Sequence, residues 1–218
     1  MTPSAIVGSD RLTDRLTDRL TERMTVLIGE IRAVVDRGLP PELTAYLVGE
    51  RLAPHLHASE DGPDALLTPA QREGDSERYR QHVLHAQEDG SFSVVALVWL
   101  PGQLTPIHDH VSWCVAGVHR GQESETRYRL VSDGRTARLV ETEHVAGPAG
   151  TVAAFAPPGD IHLVRNACST TAISIHVYGA DVSRLGTSIR RVYRMPADGV
   201  AAGVVDGIVD GVVDGGEL

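Results

Sequence analysis

From Tyr79 to Tyr193 the chain breaks into short apolar segments, and this most constrains what it can become. The segments are RYRQHVLHA, SFSVVALVWL, the region His108 to Val118, SETRYRLV, ARLVETEHV, TVAAFA, IHLVRN, TAISIHVYG and SIRRVYRM, each ended by Gly, Pro, Asp or Asn. They are rich in Val, Ile, Thr and Tyr, residues that suit a pleated, half-buried strand. Many short strands at regular spacing predict an antiparallel sandwich or small barrel, so the fold class is mainly β.

The flanks read differently. Asp-Arg-Leu-Thr is repeated three times over residues 10–21. A leucine every four residues drifts around a helix, and the charges pair locally, so residues 1–22 are expected to form a solvated helical extension. Apolar spacing in Met24 to Val35, with a stop at Arg37-Gly38, predicts one helix. Pro40-Pro41-Glu42 starts a second that runs to about Leu52. Residues 23–60 are therefore assigned to helices packing on the barrel, and 61–197 to the barrel domain. Residues 198–218 repeat Val-Asp-Gly units, which suit neither helix nor strand, and are expected to be a flexible tail.

Composition closes several routes. The net charge of −9 in 218 residues argues against non-specific nucleic-acid binding and against an anionic membrane surface. No apolar run approaches the roughly 20 residues of a membrane span, and the N-terminus lacks a basic-then-apolar leader pattern. The two cysteines, Cys114 and Cys168, make neither a disulfide framework nor a cysteine-rich zinc site. A cytoplasmic protein, monomeric or a small homo-oligomer, is expected. Histidine, with 10 copies, is the abundant candidate ligand.

Gly102-Gln-Leu-Thr-Pro-Ile-His108-Asp109-His110 sets two histidines at i and i+2. On a strand both point the same way, and Asp109 points to the opposite face. Such a pair serves one metal ion or is simply two surface histidines. The stretch Gly150 to Asn166 delivers His162 after the turn Pro158-Gly159-Asp160, and alone it fits an ordinary hydrogen-bonded histidine equally well.

Together the two stretches resemble the cupin superfamily: G-x5-H-x-H followed by Gly121, then G-x6-P-x-G-x2-H-x3-N. Many cupins carry a Glu ligand four residues after the second histidine. Here Cys114 stands there, after Trp113, which leaves three histidines and no carboxylate. Three neutral imidazoles leave Fe(II) its full positive charge and an open face, which favours a substrate thiolate and then dioxygen.

A three-histidine cupin with Cys in that place resembles the cysteine dioxygenase family. Ser174-Ile-His176-Val-Tyr178 extends the likeness, since period two sets all three polar residues on one strand face. Taken by itself, the segment also reads as a core strand with chance polar residues. The resemblance implies a cupin barrel with leading helices, Fe(2+) on His108, His110 and His162, and oxidation of a small thiol by O2 to its sulfinate. It also implies that Ser174 and His176 orient the Tyr178 hydroxyl beside the metal. Cys114 and Tyr178 correspond to the pair that the family links through a thioether, although several bacterial relatives carry Gly in place of that Cys.

In cysteine-selective members an Arg two residues after a Tyr grips the substrate carboxylate. Here Gln81 follows Tyr79 and Arg80, which resembles the branch that prefers 3-mercaptopropionate. A carboxylate still wants a cation, so Arg165, Arg184, Arg190 and Arg191 are candidates. The competing readings are another metal-dependent cupin enzyme, such as an isomerase or a quercetinase-like dioxygenase, and a small-molecule-binding cupin without catalysis.

Overall fold

In a computed structural model the described residues are 7–56, 66–132, 137–194 and 203–205; for 7–19, 21 and 203–205 only the backbone is described. A single helix α1 (Val7–Val35) takes in the charged repeat and the apolar segment after it. Pro41 opens α2 (Pro41–Leu52), where its fixed φ suits the first turn. Then come β1 (Arg80–Ala86), β2 (Ser93–Trp99), β3 (Ile107–His110), β4 (Cys114–Arg120), β5 (Gln122–Ser132), β6 (Ala137–Pro148), β7 (Val152–Phe155), β8 (His162–Asn166) and β9 (Ala172–Tyr178). One-turn helix α3 (Val182–Leu185), β10 (Ile189–Arg194) and β11 (Gly203–Val205) complete the order. None of the described helices is long and apolar enough to cross a membrane.

All pairings are antiparallel. One sheet runs β1-β2-β9-β4-β7, the other β11-β10-β3-β8-β5-β6. This is the cupin, or double-stranded β-helix, architecture with helices at its N-terminal side. Two details depart from the sequence reading. The region His108 to Val118 is two strands in different sheets, divided at Val111–Trp113. Within the tail, Gly203–Val205 pairs with β10, while the rest of 198–218 lies outside the described residues.

β2 and β9 are buried on both faces; β2 reads accordingly as a nearly unbroken apolar run, while β9 carries Ser174, His176 and Tyr178 along one face. Their outer faces (Val94, Ala96, Val98; Ile173, Ile175, Val177) pack on Leu27, Ile31 and Val34 of α1 and Ala45, Val48 and Leu52 of α2. Each Val, Leu or Ile among them contributes about 1.5–3 kcal/mol when fully buried. Gly117 of β4 permits the approach, since a Cβ there would meet Leu56 at 2.7 Å. Inner faces present Val95, Leu97, Trp99, Cys114, Ser174, His176 and Tyr178 to the barrel. The helices thus close one side of the sheet and leave its other side for chemistry.

Candidate metal centre and its pocket

His108 and His110 project together from β3, and His162 faces His108 across the β3–β8 ladder. Gly159, at φ +106°, makes the turn that sets His162 at the start of β8, a conformation glycine adopts without strain. The three rings are buried, with centroids 4.6–5.0 Å apart, and one ligand atom of each lies within 4.8 Å of the others.

Each ring is oriented from behind through Nδ1. His108 Nδ1 donates to the Pro106 carbonyl at 3.0 Å, His110 Nδ1 to Asp160 Oδ2 at 3.0 Å, and His162 Nδ1 to Glu125 Oε1 at 3.0 Å. Asp160 Oδ2 also accepts the His110 backbone N–H, and Arg127 grips Glu125 through two nitrogens. An acceptor at Nδ1 fixes the proton there and leaves Nε2 as a lone-pair donor. Burial, then the neighbouring histidines, hold His108 and His162 well below the usual imidazole range, so both are neutral. Burial alone would raise Asp160, but hydrogen bonds from His110 outweigh it and keep the carboxylate charged.

His162 Nε2 is buried without a hydrogen-bond partner. A buried, unpaired imidazole lone pair beside two other imidazoles is a costly arrangement unless a cation takes it. The residues therefore fit a metal ion, and among the described residues the ligand group contains no carboxylate.

The pocket over this group has an empty volume of about 410 Å³ and is lined by Gln81, Thr105, His176, Tyr178, Ser188 and the three histidines, among others. Tyr79 packs on Trp99 at 4.5 Å to form one wall. A hydrogen-bonded chain enters it along β9: Trp99 Nε1 donates to Ser174 Oγ at 3.1 Å, Ser174 Oγ meets His176 Nε2 at 2.9 Å, and His176 Nδ1 meets the Tyr178 hydroxyl at 3.2 Å. Burial lowers His176 to about 3 and pushes Tyr178 well above 10, so the chain is neutral, with a protonated phenol. Cys114 stands opposite Tyr178 in the β4–β9 ladder, and burial pushes its thiol up, away from thiolate.

The arginines expected near the substrate are elsewhere. Arg165 is three residues from His162, hence on the outer face of β8, where it donates to Ser124 Oγ. Arg184 extends from α3 to Asp181 and the Glu88 carbonyl. Arg190 and Arg191 clamp Asp109, which Tyr193 also meets at 2.8 Å, on the side of β3 away from the histidines. No arginine lines the pocket among the described residues. Sequence reasoning missed Glu125, Asp160, Trp99 and Glu123. The inward pair Glu123 and Glu125, two apart on β5, was the available signal.

The sequence model of the family described as cysteine dioxygenase type I matches residues 71–187, which hold every residue of the trio and of the β9 chain. Solved cupins resemble parts of the chain. A cupin 2 conserved barrel domain protein from Salinispora arenicola CNS-205 is 24% identical, covering 59% of this chain and 94% of that one at a TM-score of 0.36. A RmlC-like cupin protein from Desulfovibrio desulfuricans is 18% identical, covering 56% and 96% at a TM-score of 0.37. A cupin superfamily protein from Desulfitobacterium hafniense DCB-2 is 11% identical, covering 56% and 94% at a TM-score of 0.39. By the extent of the family match, which spans more than half of its length, this chain belongs to the cysteine dioxygenase type I family.

Proposed function

We propose that the chain is an iron-dependent thiol dioxygenase that converts a small thiol carboxylic acid and O2 to the sulfinate, both oxygen atoms ending on sulfur. The observation that carries this reading is the convergence, on one pocket, of three imidazoles without a carboxylate and a neutral, hydrogen-bonded phenol. His108, His110 and His162 would hold Fe(2+). Such an ion would supply the redox chemistry that joins dioxygen to a thiol. The protein's share is positioning and exclusion of water. Tyr178, steadied by His176, keeps its proton and offers a hydrogen bond where oxygen or the substrate carboxylate lies.

Gln81 and the lack of an arginine among the described pocket residues favour a substrate held by neutral donors, with 3-mercaptopropionate oxidised at least as efficiently as cysteine. We read Cys114 and Tyr178, opposite one another in the β4–β9 ladder, as the pair the family links through a thioether, a coupling that gives up two protons and two electrons, with dioxygen as the acceptor. The test is anaerobic loading with Fe(2+), then oxygen uptake over a panel of small thiols with product masses. Uptake with 3-mercaptopropionate and a product heavier by two oxygen atoms supports the reading. A purified protein carrying nickel, zinc or manganese, or one inert to every thiol, contradicts it.

A further inference from the structure

The β9 chain does not end at Ser174. Behind it, Glu123 of β5 is buried at 6% exposure, its Oε1 has no hydrogen-bond partner, and its carboxyl is in hydrogen-bonding reach of Ser174 and Trp99. We propose that Glu123 is a positioning residue whose carboxyl proton sets the direction of every hydrogen bond from Ser174 to Tyr178, and so whether the Tyr178 hydroxyl points its proton into the pocket.

Donor counting gives the result. Ser174 Oγ has one O–H and two lone pairs, one of which takes the Trp99 N–H. Neutral His176 has one N–H to place on either nitrogen. With Glu123 ionised, the Ser174 O–H donates to the carboxylate, His176 Nε2–H donates to Ser174, and Nδ1 accepts the Tyr178 proton. The phenol then points away from the pocket. With Glu123 protonated, its O–H donates to Ser174, Ser174 donates to His176 Nε2, and Nδ1–H donates to the Tyr178 oxygen. The phenol proton is now free for Ser188 or for a bound substrate, both at the pocket side. Each arrangement uses both Ser174 lone pairs, and neither places a charge on His176.

The surroundings suit a group that changes state. Glu123, Glu125, Arg127 and His162 line a second cavity, of about 510 Å³ empty volume, to which β4 adds Ala116 and Val118, and β6 adds Val145 and Gly147. Of the titratable groups facing Glu123, Glu125 disfavours its charge, Arg127 is committed to Glu125 and Glu143, and β9 brings only neutral His176 and Tyr178. Burial, then Glu125, raises Glu123 to about 7, so both states are populated near neutral pH. The hydrogen-bond directions stand on the geometry alone; their effect on turnover rests on the thiol dioxygenase reading.

The experiment uses metal-free, full-length protein labelled with nitrogen-15 at histidine, studied by NMR and infrared spectroscopy on either side of neutral pH. His176 is expected to pass from the Nδ1–H to the Nε2–H tautomer as pH rises, uncharged throughout, while a protonated-carboxyl infrared band disappears in step. Glu123→Gln, nearly the same shape, should lack the band and hold one His176 tautomer at all pH. A His176 tautomer that is pH-independent in the parent protein, or that still changes in E123Q, overturns the proposal. In the iron-loaded enzyme, turnover should fall about tenfold per pH unit above the Glu123 midpoint, as loss of a single proton requires, and E123Q should abolish that limb. A tautomer change that persists in a protein inert to thiols would sink the dioxygenase reading and leave the Glu123 assignment standing.

Discussion

The metal trio and the β9 chain use the same side chain for opposite ends. In His108, His110 and His162 one nitrogen is engaged from behind and the other is left to a metal. In His176 both nitrogens are engaged, by Ser174 and Tyr178, so it has nothing to offer a cation although it lines the same pocket. Burial is alike in the two regions and cannot separate them. What separates ligand from relay is how many ring nitrogens the protein has already satisfied.

Substitutions should split along that line. His162→Ala removes a buried ring nitrogen that has no hydrogen-bond partner and should take metal content from one ion per chain to below detection by elemental analysis. His176→Gln, on the other side, should leave metal affinity within about twofold yet lower turnover by roughly 10²–10⁴, the span of a positioned proton donor. Equal losses of metal in both variants would erase the distinction. Asp160→Ala removes the acceptor behind His110 and should weaken metal binding about 10- to 100-fold by calorimetry, with the fold kept.

Much of this was legible in the sequence, but only where chemistry and chain neighbourhood coincide. His108 and His110 are two apart on one strand, and Ser174, His176 and Tyr178 follow the same period, so their shared faces need no tertiary knowledge. Apart from Pro106 behind His108, the partners behind them come from far along the chain: 50 residues for Asp160 and His110, 37 for Glu125 and His162, 75 for the Trp99 donor and Ser174. Only ladder register brings those together. Strand parity would have excluded Arg165, which lies an odd number of residues from His162. Arg190 and Arg191 could not be excluded that way, because Asp109 claims them from another strand. The β3–β4 break escaped notice because Val111-Ser-Trp113 contains neither Gly nor Pro.

Two buried acids extend the comparison to stability. Burial would raise Asp109, yet hydrogen bonds from Arg190, Arg191 and Tyr193 hold it below 3.8. Its native state thus releases a proton that the unfolded chain keeps. Its stability is present above the ordinary carboxylate range and is lost as pH falls through the lowered value. Asp109→Asn should cost about 2 kcal/mol at neutral pH in denaturant unfolding, and less in acid. Glu123 has the opposite sign. Raised from 4.5 to about 7, it holds a native-state proton that the unfolded chain has released, so its contribution falls as pH rises across that window. Glu123→Gln should therefore raise the Tm by a few degrees on the alkaline side and hardly at all near pH 4.5.

The most direct measurement of the central claim is the origin of the product's oxygen. Iron-loaded protein given 3-mercaptopropionate under isotopically labelled dioxygen should yield a sulfinate with both oxygen atoms labelled, one O2 consumed per thiol. A disulfide product, or a sulfinate in which one oxygen comes from water, would contradict it.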